Sequence, residues 1–69
     1  MNRKIPKIKT LEVWTEKPGY LLKFVLDEDD GTCLVEVVEE FYNNTREVLC
    51  EFSISKHRRE RIGNFLKMD

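Results

Sequence analysis

The sequence predicts an α+β fold in which a four-stranded antiparallel β-meander is followed by one C-terminal α-helix packed on one face of the sheet (ββββα). Three observations predict this class. Turn-forming residue pairs divide residues 7–55 into four extended segments, polar and apolar residues alternate within them, and the C-terminal segment changes to helical spacing. A chain of 69 residues has the size of one small domain, which we place at residues 7–69 behind a basic N-terminal tail at residues 1–6.

Each turn signal has its own stereochemical basis. Pro18-Gly19 suits the centre of a type II turn, because proline presets φ and glycine accepts a positive φ. Asp30-Gly31 suits a two-residue type I′ hairpin, and Asn43-Asn44 tolerates the left-handed region. The segments between these turns are rich in β-branched and aromatic residues, so we predict strands near residues 7–16, 20–28, 32–42 and 46–54.

The C-terminal segment has the pattern of an amphipathic helix. Ser55 fits the N-cap, because its hydroxyl can accept a hydrogen bond from an amide of the first turn. Ile62, Phe65 and Leu66 follow at i, i+3 and i+4 and therefore share one helical face. We expect these three side chains to cover the sheet.

Two-residue loops would fix the register of the sheet and separate two faces. One face is then almost entirely apolar: Leu11, Val13, Tyr20, Leu22, Phe24, Leu26, Val35, Val37, Phe41, Val48, Cys50, Phe52 and Ile54. The opposite face mixes acids with an apolar strip, in which Trp14, Lys23, Val38 and Leu49 would form one cross-strand row. An exposed apolar patch with a polar rim often marks an association surface. We therefore predict a protein interface there: Trp14, Leu21, Lys23, Val25, Val38 and Leu49.

The charge of the chain is strongly segregated. Residues 1–9 carry four bases and no acid, residues 10–51 carry eleven acids and three bases, and residues 52–69 carry five bases and two acids. The net charge of −1 therefore conceals a basic–acidic–basic layout of +4, −8 and +3. Such asymmetry is the strongest hint in the sequence of a charged partner.

Catalysis has little support in the sequence, and we expect no enzyme, no metal site and no cofactor. His57 is the single histidine and stands among arginines, without a nucleophile or carboxylate partner nearby in sequence. Cys33 and Cys50 fit no zinc-ligand spacing, and we expect both to be reduced. No apolar run is long enough to span a bilayer and no signal peptide is evident, so we expect a cytoplasmic protein without membrane contact.

The leading prediction is a small regulatory or inhibitory module that binds a basic protein through the acidic, Trp-bearing face. We also expect a homodimer, formed through this face or through an edge strand. The alternative is nucleic-acid binding by the basic ends of the chain, whose side chains would contact phosphates. These are Arg3, Lys4, Lys7, Lys56, Arg58, Arg59 and Arg61, which otherwise serve only to neutralise the acidic sheet.

Overall fold

The computed structural model describes residues 7–67 and confirms the predicted fold class. Four antiparallel strands lie in the sheet in the order β1-β2-β3-β4, and one helix follows them. The tail at residues 1–6 lies outside the described residues, and so do residues 68 and 69. The elements are β1 (Ile8–Trp14), β2 (Tyr20–Asp27), β3 (Cys33–Glu40), β4 (Arg46–Ile54) and α1 (Lys56–Leu66).

The β1–β2 hairpin contains the predicted type II turn inside a longer loop. The amide of Tyr20 donates to the carbonyl of Lys17 at 3.2 Å, and Gly19 between them has a φ of 84°. This geometry places Pro18-Gly19 at the centre of the turn, as predicted. The hydrogen-bonded pairing of the two strands, however, ends at Thr15, whose amide donates to the Tyr20 carbonyl at 3.0 Å. The loop therefore has four residues rather than two.

The β2–β3 hairpin also has a four-residue loop, so the predicted two-residue type I′ turn is wrong. The amide of Asp27 donates to the carbonyl of Thr32 at 2.9 Å, and Gly31 has a φ of 79°. The Asp30 carboxylate accepts hydrogen bonds from the amide and the hydroxyl of Thr32. Both hairpins thus move the register by two residues, and because side chains alternate with a period of two, the predicted faces of β1–β3 survive.

A three-residue loop and a β-bulge at Leu49 change the face of the first part of β4 only. The Phe41 amide donates to the Thr45 carbonyl at 2.9 Å, so the predicted two-residue loop at Asn43-Asn44 is wrong, and the bulge restores the predicted faces from Cys50 onward. Val38 pairs with Val48, whereas Val37 pairs with Cys50, so Leu49 is an extra residue that no partner opposes. Val48 therefore lies on the face opposite to the predicted one. The predicted row with Lys23 and Leu49 is wrong. The observed row is Trp14, Leu21, Val38 and Val48.

The observed pairing defines the two faces used below. The apolar face holds Lys9, Leu11, Val13, Tyr20, Leu22, Phe24, Leu26, Cys33, Val35, Val37, Glu39, Glu47, Cys50, Phe52 and Ile54. The acidic face holds Ile8, Thr10, Glu12, Trp14, Leu21, Lys23, Val25, Asp27, Leu34, Glu36, Val38, Glu40, Arg46, Val48, Glu51 and Ser53.

The helix is joined to the sheet at its first turns. Ser55 caps it as predicted, accepting a hydrogen bond from the amide of Arg58. The Arg59 Nε donates to the Gly31 carbonyl at 3.1 Å, which ties the helix to the β2–β3 loop. The expected cover is not formed, because Phe65 and Leu66 stay 71% and 73% exposed. Few apolar side chains are buried among residues 7–67, namely Leu21, Cys33, Val35 and Val38.

Candidate protein-interaction site

The acidic face has an apolar cross-strand row whose two central residues are buried and whose two end residues are exposed. Leu21 is 0% and Val38 is 3% exposed, although within residues 7–67 no helix lies over this face. Trp14 and Val48 occupy the two ends of the same row and remain 54% and 49% exposed. The row therefore offers two accessible apolar ends above a buried middle.

Arg46 closes the middle of that row. Its guanidinium forms two roughly parallel hydrogen bonds with the Glu12 carboxylate, at 2.7 and 3.4 Å, and its Nε donates to Glu40 at 3.1 Å. Glu12 lies on one side of the Trp14 row and Arg46 on the other, at opposite edges of the sheet. The bond between them must therefore cross the row, over Leu21 and Val38.

These ion pairs also set the charge states at the centre of the face. The hydrogen bond from Arg46 lowers the pKa of Glu12 below its usual value. Desolvation opposes this effect in part, and the charges of Arg46 and Lys23 add smaller contributions that lower the pKa further. The hydrogen bonds to Glu12 and Glu40 raise the pKa of Arg46. Glu12 and Arg46 are therefore both charged at neutral pH.

A second pair of carboxylates on this face is not neutralised in the same way. Glu36 and Glu51 stand directly opposite each other on β3 and β4, and Lys23 opposes Glu36 on its other side. Within residues 7–67, neither carboxylate forms an ion pair with a basic side chain. Like charges directly opposite on a sheet repel, so this pair favours a cation from outside.

The structure separates the interface residues that the sequence predicts. Trp14, Leu21 and Val38 share one row, but only Trp14 of these three is accessible. Lys23 lies in the next row, between Glu12 and Glu36, and Val25 one row further, opposite Leu34. Leu49 is the bulge residue and is 47% exposed.

Sequence reasoning missed the role of Arg46. The available signal was its isolation, because it is one of only three bases among the eleven acids of residues 10–51. A base surrounded by acids on neighbouring strands is well placed to bridge them.

The basic helix residues that the sequence predicts for phosphate contact have divided roles. Arg59 binds the Gly31 carbonyl, and the aliphatic stem of Lys56 packs against Gly31. Arg58 and Arg61 instead line an open groove with three apolar side chains, Ile54, Ile62 and Phe65. Lys7 is exposed near the β2–β3 loop, where its carbonyl accepts from the Glu28 amide. Arg3 and Lys4 lie outside the described residues.

The described part of the chain shows no cluster of side chains for metal binding and no disulfide. Across residues 7–67, no three His, Cys, Asp or Glu side chains come together as a metal site. Both cysteines are free, with Cys33 buried and Cys50 exposed. The helix described here is too short and too polar to cross a membrane.

Comparisons with protein-family models, with curated proteins and with solved structures find no match to this chain.

Proposed function

We propose that this protein is a small non-enzymatic binding module that captures a basic segment of another protein on its acidic face. The observation that carries the proposal is a half-exposed Trp14 on the same sheet face as the uncompensated carboxylates of Glu36 and Glu51. An aromatic anchor and nearby opposite charge are the features on which specific protein recognition most often depends.

Trp14 supplies the apolar part of the proposed contact. It is the single tryptophan of the chain, and more than half of its surface is open at the end of β1. Tryptophan buries a large area at little conformational cost, which is why it is enriched at binding hot spots. A partner side chain that packs on Trp14 would extend the buried row of Leu21 and Val38 outward.

Glu36 and Glu51 supply the charged part. A guanidinium or ammonium group placed between them would relieve their mutual repulsion, so binding gains both attraction and relief. Arg46 supports this reading from within the chain, since Glu12 already holds its guanidinium in the fork geometry that carboxylates prefer and Glu40 accepts a third hydrogen bond. An arginine-rich segment is therefore the partner chemistry that fits this face best.

A titration with a synthetic arginine-rich peptide tests the proposal, with Trp14 emission as the signal. We expect saturable binding that weakens with salt, and no binding of the same peptide with glutamine in place of arginine. The double variant Glu36→Gln/Glu51→Gln should weaken binding about tenfold or more, because it removes both uncompensated carboxylates.

The chain provides a matched control for that variant. Glu39 and Glu47 also oppose each other on β3 and β4, but on the apolar face. Glu39→Gln/Glu47→Gln removes the same net charge and should change binding by less than about threefold, because distant surface charges are largely screened. Equal losses in both double variants would show unspecific attraction to net charge, and the proposal would then be wrong.

A further inference from the structure

We propose that the apolar face and the helix together form a self-association surface that is occupied by a second copy of this chain. The proposal concerns the face opposite to the one that carries the proposed function, and it stands without that function.

Large apolar side chains are left open both on the apolar face of the sheet and on the helix. On the sheet, Leu11 of β1 is 59% exposed and Phe52 of β4 is 49% exposed. On the helix, Phe65 and Leu66 are each more than 70% exposed, and Ile62 is 48% exposed. Isolated exposed apolar residues are ordinary, but a face of this kind marks a contact surface.

The exposed area has the size that a stable dimer needs. The chain exposes 6213 Å², whereas a compact monomer of its mass, 8.3 kDa, exposes about 4,600 Å². The difference, about 1,600 Å², exceeds the roughly 800 Å² that each partner contributes to a standard interface. The chain as a whole therefore exposes enough surface for a second copy to cover.

The small core also favours binding of a second copy. Fewer apolar side chains are buried in the described chain than a domain of this length ordinarily needs, because a chain of about 60–70 residues is marginal even with a complete core. The structure supplies no disulfide, and within residues 7–67 it supplies no metal cluster. Oligomerisation is the remaining usual source of stability for a domain of this size.

Charge selects the apolar face rather than the acidic face for this contact. The acidic face carries five acids and two bases, so two copies apposed there would bring together two surfaces of net charge −3. The strands place no charged residue in the two central rows of the apolar face, with Lys9, Glu39 and Glu47 near the strand ends and Arg59 of the helix lining the groove beside Lys9. Apposition of two apolar faces therefore avoids the repulsion that apposition of two acidic faces would cause.

The shapes on this side also suit a two-fold pair. The helix presents a ridge of Ile62, Phe65 and Leu66, and the sheet presents an open groove floored by Leu11, Phe24 and Leu26. The ridge does not fill the groove of its own chain, since its residues remain exposed. A two-fold axis lets the ridge of each copy fill the groove of the other, because an isologous interface repeats every contact twice.

Sedimentation velocity of the full chain, at several concentrations and at low and high salt, tests the proposal. We expect a dimer that persists at high salt, since apolar burial is not screened. Two pairs of variants locate the contact. Leu11→Lys and Ile8→Lys lie on the same strand with similar exposure, 59% and 56%, but on opposite faces. Phe52→Lys and Val48→Lys form the same kind of pair on β4, each 49% exposed in the parent.

We expect the apolar-face variants to weaken dimerisation about tenfold or more, and the acidic-face variants to leave it unchanged within about threefold. A photo-crosslinking residue at position 66 should trap covalent dimers and one at position 48 should not, which covers the case in which a lysine variant fails to fold. A monomeric parent would overturn the proposal. Dissociation by the acidic-face variants would also overturn it, and so would a dimer that resists all four substitutions, because such a dimer would pair through strand edges.

Discussion

Two glycines of this chain should respond to the same substitution in opposite directions. Gly31 has a φ of 79° in the β2–β3 loop, whereas Gly63 lies inside α1 without a positive φ. A Cβ built at Gly31 would stand 2.8 Å from the Cγ of Lys56, and one built at Gly63 would meet nothing within 4 Å. Alanine should therefore be unfavourable at residue 31 and favourable at residue 63.

The magnitudes follow from these environments. Alanine inside a helix is about 0.8–1.0 kcal/mol more favourable than glycine, so Gly63→Ala should raise the free energy of unfolding by about 1 kcal/mol. A left-handed conformation costs a non-glycine residue about 1–2 kcal/mol. Gly31→Ala should lose at least this amount, because the stem of Lys56 must also move and the adjacent Arg59–Gly31 hydrogen bond is exposed to the shift.

Urea and thermal unfolding followed by circular dichroism measure both effects, at one chain concentration because association would alter the midpoint. In a domain of this size 1 kcal/mol corresponds to about 4–8 °C in Tm. Gly63→Ala should therefore raise Tm by about that amount, and Gly31→Ala should lower it by at least as much. Equal shifts at the two positions would refute the reasoning, because it rests entirely on the difference in φ and in free space.

The remaining predictions concern charge. The pKa values of Glu12 and Asp30 are lowered in the folded chain, by the hydrogen bond from Arg46 and by those from Thr32, so their contribution to stability is complete above the ordinary carboxylate pKa and is lost as pH falls through the folded values. The urea concentration at the unfolding midpoint should thus decrease as the pH falls below about 5. The Arg46→Gln variant should lose only the part of this pH dependence that is due to Glu12. Identical pH profiles for parent and variant would contradict this. The nucleic-acid alternative predicts binding to DNA or RNA at low salt, with a salt slope that drops by about 2 in Arg58→Gln/Arg61→Gln. The absence of low-salt binding removes that alternative.

The sequence predicted the strands and their faces better than it predicted the loops. The predicted loop length is wrong at Asp30-Gly31 because hydrogen bonds to side chains within the loop determine it. The Asp27 carboxylate accepts from the amide of Asp29, and that of Asp30 accepts from Thr32, which together favour a four-residue loop. The faces of β1–β3 survived since the errors in the first two loops were even numbers of residues. The third error was odd, because the β3–β4 loop has three residues instead of two, and it exchanged the faces of residues 46–48.

The bulge at Leu49 and the position of the helix were beyond sequence reasoning for a different reason. No glycine marks the bulge, and alternation in β4 reads equally well with or without an extra residue. The three-residue loop before β4 placed Arg46 and Val48 on the acidic face, where Arg46 covers the middle of the apolar row. The spacing of Ile62, Phe65 and Leu66 does indicate an apolar helical face, but it carries no information about which surface that face contacts.

The two proposals account together for the segregation of charge along the chain. If a second copy covers the apolar face, the surfaces that remain outside are the two acidic faces, which carry Trp14 and the Glu36–Glu51 pair. A dimer of this kind would be bivalent, with its binding faces pointing away from each other. Two binding faces on one particle raise the overall affinity for a partner that has two suitably spaced basic segments, without any new contact. The acids of the central segment would then serve twice, by preventing association through the wrong face and by attracting the partner to the right one.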